Sequence, residues 1–213
     1  MTQLDKNIKR KYLFTDYDPN WVIQFASIRD FLSTIFTNAL AIEHVGSTSI
    51  PGMQAKPVID VLVIVEKMES FEEEKQAMTA AGYEWGEDYI APNSLIFFKL
   101  GAGDEKVENI HIFEKDSLKT RQFLIMRDFF RAHPNLAKEY SDLKRKNHEL
   151  HPDDYPAYRR AKTSFLDDME KKAYEWKNTQ SAETKAFQYP SCVSLFPIYP
   201  AASNIFCSFV LLE

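Results

Sequence analysis

Cysteine is almost missing from this chain of 213 residues: there are 2, Cys192 and Cys207, and both fall in the last stretch. The body before them therefore has neither a disulfide framework nor a thiolate zinc site to offer. Glycine is scarce too, at 6, and no glycine-rich dinucleotide fingerprint occurs. An excess of positive charge is also lacking. At a formal charge of −5 the chain does not pre-neutralise a phosphate backbone, so nucleic acid is not the expected partner. The opening "MTQLDKNIKRKYLF" carries basic residues with no apolar core behind them, so no secretory signal is expected and a cytoplasmic location is. Long apolar runs are absent until the end. The stretch 177–213 is poor in charge, but Pro197 and Pro200 interrupt it, and a spanning helix needs about 20 apolar residues. No membrane partner is expected. The chain reads as one domain over 1–176 followed by an irregular or disordered apolar tail.

What is present is the make-up of an ordinary globular protein, 45% hydrophobic and 27% charged. Trp21, Phe25, Ile28, Leu32, Ile35 and Phe36 recur at spacings of three and four and predict a helix, with Asp18 as its cap and Pro19 in its first turn. Strands are predicted over Ala39–Val45 and Pro57–Val65, adjacent and central in a sheet. "SFEEEKQAMTAAG" reads as a helix closing at Gly82. "SLIFFKL" and "VENIHIF" read as a hairpin. Three helices follow: one from Ser117, one opened by Pro134, and one from about Asp153 to Trp176.

The stretch "IEHVGSTSIPGMQAKPVIDVLV", Ile42 to Val63, carries the most chemistry. A strand ending in Gly46, Ser47 and Thr48 can present backbone N–H groups and hydroxyls to a phosphate. It can equally be a plain turn. Asp60 stands in the middle of "PVIDVLVIV", where an ionised carboxylate is costly unless it is paired or bound to a metal. A salt bridge to Lys56 or Lys99 and coordination of magnesium beside a phosphorylated ligand are the two readings.

Together with "YDPNW", "IHIFEKDS", "RDFFRAHP" and "HPDDYPAYRRAK", this stretch resembles the GrpB family of bacterial proteins over roughly Tyr17 to Phe165. The resemblance implies an α/β (α+β) fold similar to the nucleotidyltransferase superfamily: a mixed sheet flanked by helices, with a helical C-terminal half. It also implies a tie to coenzyme A metabolism, since relatives are fused to dephospho-coenzyme A kinase. Enzymes of that superfamily hold two magnesium ions on paired carboxylates that follow a glycine-serine turn. By that likeness Gly46, Ser47 and Thr48 match the phosphate turn, and Asp60 matches the first carboxylate and metal ligand. The second position, on the same strand face, is Leu62. On the later strand Asn109 and His111 share one face and Glu108 takes the other. One magnesium ion or none fits this set.

Other candidates divide between chemistry and structure. His44 and His111 can serve a metal, move protons or act as buried donors. Lys56 and Lys99 can neutralise phosphate or lie on the surface. Arg127 can pair with Asp128 or reach the phosphate site. Tyr158 and Lys162, at i and i+4 on one helix, read as packing plus a phosphate-facing lysine. His133, His148 and His151 fit helix ends.

Two functions are expected from these residues. The first is magnesium-dependent transfer of a nucleotidyl or phosphoryl group to a small acceptor, with Asp60, His111 and Lys99 catalytic. The second is a catalytically reduced module that binds a nucleotide or a coenzyme A precursor. A protein-interaction role for the helical half is a third, with no positive signal.

Overall fold

Asp18 opens the first helix by accepting a hydrogen bond from the Asn20 N–H at 2.9 Å. Helix α1, Asn20–Ile35, then buries Trp21, Ile28 and Leu32 along one stripe. Each such side chain contributes about 1.5–3 kcal/mol when fully buried, so three of them suffice to seat the helix. The structure is a computed structural model that describes residues 13–88 and 90–188. The stripe lies against a five-stranded mixed sheet in the order β1-β2-β5-β4-β3.

The strands are β1 (Ala41–Val45), β2 (Ile59–Val65), β3 (Glu84–Glu87), β4 (Leu95–Leu100) and β5 (Lys106–Glu114). β2 runs antiparallel to β1 and parallel to β5, while β4 is antiparallel to both β5 and β3. All seven residues of β2 are buried, as expected for a strand covered on both faces. Ile59, Val61, Val63 and Val65 pack with Ile110, Ile112 and Phe97 beneath α1 and Met78 of helix α2, Glu72–Ala80. Leu62 and Ile64 face the other way, with Val45, Ile96, Phe113 and Phe123. The predicted pairing of β1 with β2 is present, but β1 is an edge strand. The centre belongs to β5, which the crossover after β2 inserts in parallel.

Helices α3 (Leu118–Ala132), α4 (Pro134–Leu150), α5 (Tyr155–Ala161) and α6 (Thr163–Gln188) form the C-terminal half. Ser117 caps α3 by accepting from the Thr120 N–H at 3.0 Å, and Pro134 occupies the first turn of α4. The single helix predicted from Asp153 is two, broken at Lys162, whose side chain is buried. The last helix continues past Trp176 to Gln188, so the first part of the predicted tail is helical. The rest of that tail, including both cysteines, lies outside the described residues. β3 escaped sequence reading because a four-residue, mostly exposed edge strand such as "EWGE" has no apolar alternation to show.

Among the described residues no helix is long and apolar enough to cross a membrane. The architecture is an α+β fold, one mixed sheet with helices on it and a helical C-terminal half.

Candidate phosphate site at the turn after the first strand

Gly46 leaves β1 with φ 70° and ψ −174°, a region essentially reserved for glycine. A second constraint acts on the same atom. A side chain there would place its Cβ 2.5 Å from Asp60 Oδ2 and 2.9 Å from Asp60 Cβ. The cross-strand pairing of Val45 with Asp60 brings the carboxylate against this backbone. Residues Ser47–Ser49 then form one 3-10 turn. The N–H groups of Ser49 and Ile50 are spent inside it, each on a carbonyl at 3.2 Å.

The hydroxyls of the turn have separate fates. Ser49 donates to the Gly46 carbonyl at 2.7 Å. Thr48 donates to the Val58 carbonyl at 3.1 Å, tying the two ends of loop 46–58 together. Thr48, proposed from sequence as phosphate-binding, is 1% exposed and holds the loop in shape. Ser47 is different: its Oγ receives a hydrogen bond from Lys144 Nζ at 2.9 Å. Among the described residues it is the hydroxyl of the three that meets a cation.

Asp60, Asn109 and His111 do converge. Asn109 Nδ2 donates to Asp60 Oδ1 at 2.9 Å, and His111 Nε2 stands 3.5 Å from the same oxygen. All three are buried. The His111 ring packs on Phe123 at 4.9 Å between centroids. Asn109 Oδ1 and His111 Nδ1 are buried without a hydrogen-bond partner among the described residues, a costly state. Residue 62 points to this same side, but Leu62 is fully buried in an apolar cluster. Glu108 faces away and accepts from the Tyr83 hydroxyl. No group of three metal-binding acidic, histidine or cysteine side chains occurs among the described residues. The donor set does not fit two magnesium ions, because a two-ion site needs carboxylates that bridge both. Asp60 is the single carboxylate this cluster supplies.

Two sequence candidates fall on the wrong face. The register Lys99 with Glu108 sends Lys99 to the side of Tyr83, whose ring centroid is 5.0 Å from Nζ. Lys99 is therefore remote from the chemistry assigned to it. His44 pairs with Val61 and stacks on Phe25 of α1 at 4.7 Å, so the sheet separates it from His111. Its Nε2 lies 3.1 Å from Thr48 Oγ1. Because that hydroxyl gives its proton to Val58, His44 donates, and the neutral ring carries hydrogen on Nε2. Burial lowers its pKa to about 4, against the attraction of Asp60 and with help from Arg131 and Arg127.

Arg127 takes the structural alternative. It reaches Glu43 at 2.7 Å, Asp128 at 2.8 Å and the His44 carbonyl at 3.3 Å, fastening α3 to β1. Lys56 is buried rather than exposed, and donates to the Tyr155 hydroxyl at 2.9 Å. Sequence reasoning missed Lys144, which is fully buried, and Arg131, which donates through Nε and Nη2 to the Ser49 carbonyl at 3.0 and 2.8 Å. A signal for Lys144 was available. It occupies the inward stripe of α4 with Ala137, Tyr140, Ser141 and Asn147, where an amphipathic helix rarely places a lysine.

A UPF0157 protein, YqkA of Bacillus subtilis, is 36% identical over 79% of this chain, which spans only 49% of that relative. A dephospho-CoA kinase of Mycolicibacterium paratuberculosis is 28% identical over 75% of this chain and 45% of its own length. The crystal structure of the conserved protein GrpB from Enterococcus faecalis superposes with a TM-score of 0.72 at 32% identity, covering 78% of this chain and 99% of that one. The GrpB protein family model matches residues 13–172, the span that builds the sheet, the turn and most of the helical half, and the chain belongs to that family.

Proposed function

We propose that this protein binds the phosphate part of a nucleotide or of a coenzyme A precursor at the turn after β1. One observation carries the reading: a fully buried ammonium, Lys144 Nζ, meets the Ser47 hydroxyl at 2.9 Å. A cation and a hydroxyl side by side at a glycine turn are the kind of groups with which proteins hold phosphate oxygens. Likeness to part of a dephospho-CoA kinase supports the ligand class. A thermal-shift screen of nucleotides and coenzyme A precursors, with and without magnesium, tests the reading. Ligand at about 100 times its dissociation constant adds roughly 2.7 kcal/mol of stability. Absence of a shift with every compound overturns it.

Transfer of a nucleotidyl or phosphoryl group is the second reading, and the Asp60–His111 contact at 3.5 Å favours it. In it His111 Nδ1 takes the proton of an acceptor hydroxyl as that oxygen attacks phosphorus, and pyrophosphate leaves in nucleotidyl transfer or the nucleoside diphosphate in phosphoryl transfer. A single magnesium ion on Asp60 would supply Lewis-acid assistance; the residues do not fit a second. Release of pyrophosphate or of a nucleoside diphosphate from a nucleoside triphosphate, lost in Asp60→Asn, is the expected sign of this chemistry. Equal release by the variant removes Asp60 from it.

A further inference from the structure

Asp60 is 3% exposed, and among the described residues no lysine or arginine pairs with it. Its hydrogen bonds come from Asn109 Nδ2 at 2.9 Å and His111 Nε2 at 3.5 Å, and both fall on Oδ1. An N–H contact between full charges is about 2.7–2.9 Å long, so His111 at 3.5 Å is a weak neighbour and not a counter-ion. A carboxylate only accepts, and it therefore fixes how these two side chains face. Asn109 turns its NH2 to Asp60, and the His111 nitrogen nearest Asp60 carries the hydrogen. The atoms left over, Asn109 Oδ1 and His111 Nδ1, are both acceptors, both buried and both without a hydrogen-bond partner among the described residues. Asn109 and His111 lie two residues apart on β5 and so share one face of the sheet with Asp60. A buried negative charge and two unused acceptors call for the same thing, a positive group with hydrogens to give.

We infer that Asp60, Asn109 and His111 bind the primary ammonium group of a ligand. Asn109 Oδ1 and His111 Nδ1 each accept one of its hydrogens, and Asp60 balances its charge. Other small groups meet only part of this demand. An alcohol has one hydrogen to give and no charge, and a quaternary ammonium has charge but no hydrogen. Magnesium takes oxygen ligands, and one of these two acceptors is a nitrogen. Leu62 and Phe123 border the cluster and keep it apolar, where a charge and its hydrogen bonds count for more than in water. Position supplies the rest of the ligand. Asp60 stands against the turn: a Cβ on Gly46 would lie 2.5 Å from its Oδ2, and Ser47 is the next residue. The inference rests on reading the Ser47 turn as a phosphate site, and adds that the molecule bound there carries an ammonium beside its phosphate. An aminoalkyl phosphate is the simplest such compound. It competes with the transfer reading, because a His111 Nδ1 that accepts from an ammonium does not take the proton of an attacking hydroxyl.

Calorimetric titration in EDTA compares aminoalkyl phosphates of two, three and four carbons with the plain alkyl phosphates of the same lengths and with phosphocholine, which keeps the charge and has no N–H. The parent protein is expected to bind one of the amines at least tenfold more tightly than its alkyl counterpart and than phosphocholine. Asp60→Asn, which can still accept from Asn109 and His111, is expected to lose that preference and to hold the alkyl phosphate as well as the parent does, or better. Asn109→Leu removes one acceptor and is expected to reduce the preference. A thermal melt of each unliganded variant establishes that it is folded, and the comparison among ligands on the parent needs no variant. Equal affinity for amino and alkyl phosphates at every length overturns the inference while leaving the phosphate reading of the turn intact. Phosphocholine bound as tightly as the amines, or a preference that Asp60→Asn retains, also overturns it. A heat of magnesium binding that Asp60→Asn abolishes, with no preference for the amines, gives the carboxylate to the metal instead. Failure of the parent to bind any of these phosphates or any nucleotide, with or without magnesium, removes the turn reading and the inference together.

Discussion

His44 stands beside the candidate site, and the contacts of its ring are those of a packed, neutral histidine. Its ring is stacked on Phe25, hydrogen-bonded to Thr48 and held neutral, with burial lowering its pKa to about 4. The unfolded chain takes a proton near the ordinary histidine value of about 6.5. Above that value both states are neutral and the stability is fully present. As pH falls through about 6.5 the unfolded state binds a proton that the folded state refuses, so stability is lost until pH reaches about 4. The loss amounts to on the order of 3 kcal/mol over this window, because one unit is worth about 1.36 kcal/mol. Urea unfolding of the parent and of His44→Gln, which keeps a donor for Thr48, measures it. The parent curve is expected to be steeper between pH 6.5 and 4.5 by about one proton. Parallel curves would show that His44 titrates alike in both states.

At the scale of the element, β2 shows why a sequence rule for a missing ligand fails once the strand is packed. Alternation makes residue 62 the natural second carboxylate position, and from sequence alone Leu62→Asp looks like a restoration. The folded strand has both faces buried, and Leu62 lies fully enclosed among Val45, Ile96, Phe113 and Phe123. An aspartate there loses apolar packing and puts a second buried negative charge on the same face as Asp60. An uncompensated buried charge costs about 3–5 kcal/mol, a large part of the roughly 5–15 kcal/mol that holds a domain together. Leu62→Asp is therefore expected to melt at a much lower temperature and to be cut readily by protease. A variant that melts like the parent and binds nucleotide more tightly with magnesium would instead mark Leu62 as a vacated ligand position. The turn, β2 and the Asn109–His111 face were legible in the sequence because their signals are local: a glycine, a lone acid, a period of two. The faces of Lys99 and His44 were not, since each depends on a register between strands far apart in the chain. Lys144 was hidden for a related reason, as its partner Ser47 is 97 residues away.

In the whole molecule, the turn belongs to two cores at once. Gly46 and Asp60 sit at the end of the sheet, yet Ile50 and Met53 of the same loop are buried with Phe129 and Phe130 of α3, Tyr140 of α4, and Leu166, Met169 and Ala173 of α6. Sheet and helical half therefore share a segment that neither can release alone. Arg127 and Arg131 add polar ties from α3 to β1 and to the turn. This coupling predicts one cooperative transition rather than two. Trp21 lies in the core under the sheet, and Trp176 packs edge-on against Phe129 in the helical core, 5.8 Å between centroids. The two indoles thus report on the two halves, read separately in Trp176→Phe and Trp21→Phe, with Trp85→Phe in both to remove the third. Leu166→Ala, deep in the helical core, is expected to cost about 2–5 kcal/mol from lost transfer energy and the cavity left behind. If the shared loop couples the halves, that substitution lowers the midpoint seen by Trp21 as much as the one seen by Trp176, and calorimetric and van't Hoff enthalpies agree. A Trp176 signal that melts first, with Trp21 left at its parent midpoint, would mean that the helical half can leave the sheet. Lys144, which reaches Ser47, would then leave the turn with it.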